Sequence, residues 1–334
     1  MDLKKAFKKI TISSWLWVYV VVNFFAGISL LIVRKSEFEY VFQILIGIVV
    51  QLIMINWFKN QFQDKKVSLK DEIKNSPVKE ARKDIFLGVI FQILFTFTTL
   101  IIPIAMSSVF INFSGFKEIP VLEGDLDIPL YSNSSIFYNV IIFILSFITT
   151  TLLAPLEEEL TFRGMMFKRF NIKRNAISSI LISTLIFTFG HAYLNMPSTF
   201  LFGINLSIIY LKYSNIFIPM LIHGLYNLII TFIDIGIYIY FKSTRSQITL
   251  GELLNIILFN NNSKTVLILA IIILITSGIL FVIYMIREYK KLDDSLKSVD
   301  PEEPIYRNVN MDFDKYIVNE DNEYDKNDNN WNKK

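Results

Sequence analysis

Long apolar runs separated by short blocks of charged residues extend along most of this chain. An α-helix needs about 20 residues to cross roughly 30 Å of hydrocarbon, so runs of that length predict membrane-spanning helices. Eight runs approach it: residues 10–33, 40–58, 85–110, 136 to beyond 153, 176–193, 198–211, 216–241 and 266–286. The sequence therefore predicts an all-α, polytopic integral membrane bundle of about eight transmembrane helices.

The composition excludes a soluble two-domain protein, although 334 residues would suffice for one. Hydrophobic residues make up 53% of the chain and the mean hydropathy is +0.46, which is more apolar than a water-facing surface allows. The chain has no cysteine, which excludes disulfides, a thiol nucleophile and thiolate metal ligands. A metal would therefore have to bind His, carboxylate or amide side chains, and the chain has two histidines.

The distribution of basic residues predicts the orientation of the bundle. Lys and Arg are concentrated in residues 1–9, in the loop 59–83, and after the fourth and eighth runs. By the positive-inside rule these segments and both termini are cytoplasmic, and the acidic segment 112–135 lies outside. The first run lacks a small-residue cleavage pattern, which predicts a retained anchor. The abundance of Lys, Asn and Ile suggests an AT-rich genome and hence a bacterial plasma membrane.

The segment 292–334 differs in character from the rest of the chain. It has 12 acidic and 6 basic residues, giving about −6 against about +9 for the preceding part, and few large aliphatic side chains. This composition predicts a disordered cytoplasmic tail. It is either a solvated, solubilising segment or a docking segment for a cytosolic partner.

Ionisable side chains next to or inside the apolar runs are candidates for function, because a charge at membrane depth is costly unless it is paired or hydrated. The first group is Glu158, Glu159 and Arg163, which follows the fourth run. Glu159 and Arg163 are four residues apart, so they share a helix face and suit a charge-assisted pair, whereas Glu158 points about 100° away. Taken alone, this group is equally well explained as a solvated helix end.

Both histidines fall within apolar runs. His191 follows Phe187 by four residues near the end of the fifth run, and His223 precedes Asn227 by four residues in the seventh. A single buried histidine is more often a hydrogen-bonded core residue than a ligand. Because both histidines of this chain lie in apolar runs beside a polar partner, two independent coincidences are less expected than a shared function. The i, i+4 spacing directs His223 and Asn227 the same way into the bundle.

Helix geometry predicts whether these groups meet. Counting from an expected turn at 171–175 places Glu158 and His191 at similar depth, about 20 Å from it, with His223 roughly 10 Å from the cytoplasmic side. The predicted site opens to the cytoplasm. Residues 136–170 are too long for one upright crossing, so the helix is strongly tilted, projects beyond the membrane, or breaks near Pro155.

Two imidazoles and a carboxylate are the minimal set for activating water, and Asn227 offers an amide donor for a developing oxyanion. The residue types therefore favour hydrolysis. The order E-E-x-x-x-R, F-x-x-x-H and H-x-x-x-N on successive helices resembles the CAAX protease and bacteriocin-processing family of intramembrane proteases (CPBP or Abi). The motif residues are Glu158, Glu159 and Arg163; Phe187 and His191; and His223 and Asn227, preceded by Ala154 and Pro155.

The resemblance covers roughly residues 136–230. It implies that Glu158 and His191 activate the attacking water, that His223 and Asn227 form the oxyanion side, and that Glu159, Arg163 and Phe187 support the site. The implied enzyme is a CAAX-type intramembrane metalloendopeptidase, with the need for a divalent metal left open. A zinc ion would use His191, His223 and Glu158, although the sequence has no H-E-x-x-H pair. Two positions depart from the family pattern: Glu157 adds a third carboxylate, and Thr161 replaces an aliphatic residue.

The implied layout is N-terminal helices over 1–135, a protease core over 136–241, a loop and last helix over 242–291, and the tail 292–334. Expected partners are a membrane-associated peptide or protein substrate and the lipid bilayer, with no nucleic acid. The alternative is a catalytically inactive scaffold or bacteriocin-immunity protein of the same fold. A transporter is less favoured, because the chain shows no repeated half.

Four further polar residues in the runs are expected to form interhelical hydrogen bonds: Asn23, Gln92, Asn205 and Asp234.

Overall fold

Helices account for the regular structure of the part of the chain that the computed structural model describes, which is residues 12–33, 39–63, 76–114, 136–171, 175–191, 195–244 and 263–297. Within these residues the helices are α1 (Ile12–Val33), α2 (Glu39–Gln63), α3 (Val78–Ser114), α4 (Ile136–Asn171), α5 (Ala176–Phe189), α6 (Met196–Tyr213), α7 (Phe217–Thr244) and α8 (Ser263–Lys297). Each overlaps one of the predicted apolar runs. The all-α class is confirmed; the basic loop around 64–75, the segment 115–135 and the tail beyond 297 lie outside the described residues.

Three stretches are long and apolar enough to cross a membrane: Val41–Asn60, Ile136–Asn171 and Lys264–Lys290. Shorter apolar helical stretches occur at Ser13–Ser29, Ala176–Phe189 and Phe217–Ile233. The described helices thus support an integral membrane protein, and the count of eight crossings stays a prediction.

The outer surface of the bundle is apolar. Trp17 and Phe24 on α1, Phe137 on α4, Phe189 on α5 and Ile283 on α8 are each more than half exposed. A water-soluble protein rarely exposes large apolar side chains on so many helices together, whereas hydrocarbon accommodates them at no cost. This surface therefore suits a lipid environment.

Helix α3 is central to the packing, because it contacts α6, α7 and α8. Helix α5 packs on α6, and α4 packs against α2, α5 and α7. The buried apolar side chains form two clusters, one around Phe95, Phe167 and Met220 and the other around Leu206 and Ile222. The cavity described below lies among α3 to α7.

A group of charged and phenolic side chains joins α3, α6 and α8, and we call it the Lys212 cluster. Lys212 Nζ donates to Asp84 Oδ2 at 2.6 Å and to Glu288 Oε2. Tyr213 and Tyr284 donate their hydroxyls to Asp84 Oδ2 and Oδ1, at 2.6 and 2.8 Å. Burial and the hydrogen bond to Asp84 raise the pKa of the Tyr213 phenol, so it remains a donor.

Helix α4 alternates between α and π geometry. Two α-helical stretches, Ile136–Ser146 and Ala154–Glu159, are each followed by a π-helical one, Phe147–Leu153 and Leu160–Phe167. The helix does not break at Pro155, which was one of the three expected ways to accommodate its length. Threonine hydroxyls bond to carbonyls one turn back at Thr149, Thr150 and Thr161, which eases local departures from α geometry.

Candidate active site

One cavity of about 480 Å³ collects the four residues predicted to be catalytic. Glu158 on α4, His191 after α5, and His223 and Asn227 on α7 all line it. Residues more than 60 positions apart in the chain therefore meet at one place, as the sequence predicts. Their placement on packed helices gives the arrangement a rigid frame.

The predicted ion pair between Glu159 and Arg163 is present and buried. Arg163 Nη1 lies 2.9 Å from Glu159 Oε1, and the two side chains are 1% and 0% exposed. Arg163 Nη2 also donates to the carbonyl of Gly203 at 2.9 Å, and its guanidinium lies 4.9 Å from the centre of the Phe187 ring. Arg163 thereby joins α4, α5 and α6 beneath the cavity, while Glu159 Oε2 has no hydrogen-bond partner among the described residues.

Glu159 also orients His223. Its Oε1 lies 3.0 Å from His223 Nδ1, and because a carboxylate accepts only, the Nδ1 atom must carry a proton. His223 Nε2 then faces Glu158, whose Oε2 is 3.8 Å away. The imidazole is held laterally by Phe187 and Phe202, whose rings are nearly perpendicular to it at 6.1 and 5.2 Å between centres. The arrangement resembles the orienting acid and histidine of a catalytic triad.

His191 lies just beyond a helix end, not inside a helix as predicted. Helix α5 ends at Phe189, and the N–H groups of Gly190 and His191 bond back to Phe187 and Thr188. A glycine just after the last apolar residue of a run is a sequence signal for a helix end, and the predicted boundary at residue 193 missed it. The i, i+4 spacing is still used, because His191 Nδ1 lies 2.9 Å from the Phe187 carbonyl oxygen and its ring packs on the Phe187 ring. His191 Nε2 is left for other contacts.

Asn227 is anchored by an unusual acceptor, the carbonyl of Thr150 on α4. The distance from Asn227 Nδ2 to this oxygen is 2.7 Å. Thr150 lies in the π-helical stretch Phe147–Leu153, at the end of which the Ala154 N–H bonds to the Thr149 carbonyl five residues back. The next N–H in that register would belong to Pro155, which has none, so the Thr150 carbonyl lacks that intrahelical donor. Pro155 thus makes a backbone acceptor available to Asn227.

The two departures from the family pattern contact each other. Thr161 Oγ1 donates to the carbonyl oxygen of Glu157 at 2.9 Å and lies 3.1 Å from its carboxylate Oε1. Glu157 does not line the cavity. The additional carboxylate is therefore accompanied by a donor of its own, and no residue of the motifs is displaced.

Gly203 is a supporting residue that the motif reading missed. A Cβ atom at this position would lie 2.6 Å from the Thr184 side chain and 3.2 Å from Phe187. Its carbonyl also accepts from Ser207 Oγ at 2.8 Å in addition to Arg163. The available signal was an isolated glycine inside an apolar helical run, which often marks a close approach of two helices.

The predicted metal ligands line the cavity but do not form a metal-binding group. In the described part of the chain, no three His, Asp or Glu side chains are spaced to hold one ion. His223 Nδ1 is occupied by Glu159, and His191 Nδ1 by a backbone carbonyl. The zinc set of His191, His223 and Glu158 stays a prediction.

The other polar residues expected to bond between helices differ in outcome. Asn23 donates to the Tyr19 carbonyl of its own helix, so it does not fit the expectation. Gln92 donates to Thr96 on the same helix. Asn205 is buried and its Oδ1 has no hydrogen-bond partner among the described residues. The side chain of Asp234 lies outside those residues.

Comparison with known proteins gives one family match. Residues 140–229 match the family model described as type II CAAX prenyl endopeptidase Rce1-like. The resemblance to the CAAX protease family is confirmed. The match includes every motif residue from Glu158 to Asn227 and spans under a third of the chain. No curated protein and no solved structure matches. The matched family supports a CAAX-type peptidase and does not favour an inactive scaffold.

Proposed function

We propose that this protein is an intramembrane endopeptidase that hydrolyses a peptide bond of a membrane-associated peptide or precursor. The observation that carries the proposal is the convergence of Glu158, His191, His223 and Asn227 on one cavity, with His223 fixed in one tautomer by buried Glu159. A cavity bordered by lipid-compatible helices suits a substrate that arrives from the membrane. We further propose a bacterial plasma membrane, on the strength of the composition rich in Lys, Asn and Ile, and cytoplasmic termini, on the strength of the basic segments.

The proposed reaction begins with a water molecule held between Glu158 and His191. His191 Nε2 accepts one hydrogen bond from the water, and Glu158 takes the other proton as general base. The resulting hydroxide attacks the carbonyl carbon of the scissile bond and forms a tetrahedral oxyanion. The NH2 group of Asn227 has two N–H donors: Thr150 takes one, and the second donates to the oxyanion.

The proton gained by Glu158 must reach the leaving amine. His223 Nε2 lies 3.8 Å from Glu158 Oε2, close enough to receive it after a small approach. The imidazolium so formed is stabilised by Glu159, which is paired in turn with Arg163. While His223 holds this proton, its Nε2–H also faces the oxyanion, and it then donates the proton to the leaving nitrogen as the C–N bond breaks. The products are a carboxylic acid and an amine, and the acid loses its remaining proton to solvent as it leaves.

A cleavage assay tests the proposal. Purified protein in lipid vesicles is incubated with lipidated and unlipidated fluorescent peptides, and the products are identified by mass spectrometry. Glu158→Gln is expected to lower kcat by about 10²- to 10⁴-fold, because the general base is lost. Glu157→Gln is the matched control: the same change one residue earlier removes a neighbouring charge but leaves the base in place, so cleavage should stay within about tenfold of the wild type.

Two outcomes would contradict the proposal. Equal cleavage by the wild type and Glu158→Gln would remove the general base from the mechanism. Absence of cleavage with an unchanged cellular phenotype in Glu158→Gln would favour the scaffold reading. A parallel incubation with a chelator, followed by zinc readdition, tests the metal separately: loss and recovery of activity would support the predicted zinc set.

A further inference from the structure

Gln92 is a cavity residue that lies outside the motifs and outside the matched segment 140–229. It is on α3, which packs against α7. Its side chain is 3% exposed, yet it lines the same cavity as Glu158 and His223. A buried polar side chain at a cavity wall requires an account of each of its hydrogen-bonding atoms.

One end of the Gln92 carboxamide is fixed. Its Nε2 donates to Thr96 Oγ1 at 3.2 Å, and Thr96 Oγ1 lies 2.9 Å from the Tyr226 hydroxyl on α7. This chain of hydrogen bonds ties the amide plane to two helices. The other end, Oε1, has no hydrogen-bond partner among the described residues and is inaccessible enough that an unmade hydrogen bond is costly.

The Gln92 chain is connected to the catalytic imidazole by packing. The Tyr226 ring lies 5.5 Å from that of Phe202, and the Phe202 ring lies 5.2 Å from His223. Tyr226 is also the residue directly before Asn227. The Gln92 carbonyl therefore occupies a fixed position relative to the groups assigned to chemistry, which is what a substrate-positioning acceptor requires.

We propose that Gln92 Oε1 accepts a hydrogen bond from a backbone N–H of the peptide substrate, close to the scissile bond. The inference rests on the proposed function and names the feature of the substrate that this wall recognises. A peptide N–H is the donor that any polypeptide substrate carries into the cavity, irrespective of side chain or lipid. Gln92 is thus a binding residue that fixes the register of the chain, and a substrate with proline at that position is rejected.

The experiment removes the proposed hydrogen bond in two ways, by removing the donor N–H from the substrate and by removing the acceptor oxygen from Gln92. A peptide cleaved by the wild type is prepared as a series in which one N–H at a time is replaced by an ester oxygen. With the wild type, one ester position is expected to raise KM about tenfold and change kcat little. Gln92→Met, which keeps the length but has no acceptor, is expected to raise KM by the same factor on the all-amide peptide and to show no further loss with that ester.

Gln51→Met is the matched control. Gln51 on α2 also has an Oε1 without a hydrogen-bond partner among the described residues, but it does not line the cavity. This variant should keep the ester discrimination of the wild type. If Gln92→Met keeps that discrimination as well, the inference is wrong even though cleavage is intact.

A binding measurement separates this inference from the proposed function. Ester series made from every peptide of the vesicle assay, whether cleaved or not, are titrated into the Glu158→Gln variant and into Glu158→Gln combined with Gln92→Met, with fluorescence anisotropy as the readout. If one ester substitution weakens binding, if Gln92→Met abolishes that difference, and if the wild type cleaves no peptide, the role of Gln92 is supported and the protease proposal is overturned. Cleavage without dependence on Gln92 would do the reverse, and absence of both binding and cleavage would overturn both.

Discussion

Two clusters of buried charged side chains in this protein differ in how completely their atoms are hydrogen-bonded. In the Lys212 cluster each carboxylate oxygen of Asp84 and Glu288 has a donor, from Lys212, a tyrosine or Arg287. In the cluster beside the cavity, Glu158 Oε2, Glu159 Oε2 and Arg163 Nε have no hydrogen-bond partner among the described residues. Both clusters join several helices, but one is complete and the other is not.

The difference fits a structural role for the Lys212 cluster and the catalytic role proposed for the other. A buried polar group without a partner costs free energy, and folded proteins keep such groups mainly where water, an ion or a substrate completes them. The Lys212 cluster has no such atom among its carboxylate oxygens and lies away from the cavity lining. The incomplete cluster consists of motif residues and reaches the cavity through Glu158, so completeness of hydrogen bonding separates the two clusters.

The largest expected effect comes from removing the charge of the acid in each cluster. Glu159→Gln is expected to lower the rate of peptide cleavage by roughly 10³- to 10⁴-fold, because the carboxylate fixes the His223 tautomer and stabilises the imidazolium. Glu288→Gln, the corresponding change in the Lys212 cluster, should leave kcat/KM within about twofold. Comparable losses in the two variants would break the functional distinction between the clusters.

Removing the cation from each cluster should affect stability in the same order. Arg163→Met leaves a fully buried carboxylate unpaired and is expected to lower the free energy of unfolding by about 3–5 kcal/mol. The Lys212 side chain is 26% exposed, so water compensates part of its loss and Lys212→Met should cost about 1–3 kcal/mol. Denaturant titration in detergent micelles measures both free energies of unfolding. A larger loss for Lys212→Met than for Arg163→Met would contradict the expectation that the more deeply buried ion pair contributes more.

A methyl group added at Gly203 tests how closely the helices approach beneath the incomplete cluster. The new Cβ would meet the Thr184 side chain at 2.6 Å, so Gly203→Ala should lower the free energy of unfolding by about 1–3 kcal/mol. Gly47→Ala is the control on α2, where no atom lies within 4 Å of the new Cβ. That change should instead stabilise the protein by about 0.5–1 kcal/mol, since alanine is the better helix former. Equal effects would show that the approach at Gly203 is not tight.

The smallest expected effect concerns Pro155. Pro155→Ala supplies an N–H that shares the Thr150 carbonyl with Asn227 and weakens that bond, so kcat should fall by at most about tenfold with little change in stability. Asn227→Ala should lose more, and the double variant should lose no more than Asn227→Ala alone, because both changes act on one hydrogen bond. Pro197→Ala, in the first turn of α6 where an N–H needs no helical acceptor, is the control. If the losses of kcat in Pro155→Ala and Asn227→Ala add up in the double variant, Pro155 does not act through the hydrogen bond of Asn227.

The sequence predicted the parts of this structure that depend on local geometry. Apolar runs located the helices, and i, i+4 spacing predicted the pair of Glu159 with Arg163 and the shared direction of His223 and Asn227. These contacts follow from helix geometry once a helix is assigned. The predicted end of α5 is four residues too late, because the apolar run continues past Gly190 whereas the N–H groups of Gly190 and His191 bond three residues back and no longer four.

Contacts between helices were predicted only in outline. The bond of His223 to Glu159 and the reach of Arg163 to Gly203 depend on how far apart three helix axes lie, which periodicity does not specify. The π geometry of α4 escaped prediction for a related reason, since its hydrogen-bond register is set by packing and not by residue type. Gln92 was recognised as a polar residue in an apolar run, but its place at the cavity required the fold.

The π geometry ahead of Glu158 also makes the number of residues in this part of α4 important. Each residue of an α-helix turns the side-chain direction by about 100°, and a π turn holds one residue more than an α turn. Deleting one residue between 147 and 149 would remove the extra residue of the π turn, so the helix would relax into α geometry while the segments on either side kept their mutual orientation. The Ala154 N–H would then bond to the Thr150 carbonyl four residues back instead of to Thr149, so a single gap in this stretch would conserve all three motifs and still give the acceptor of Asn227 a helical donor.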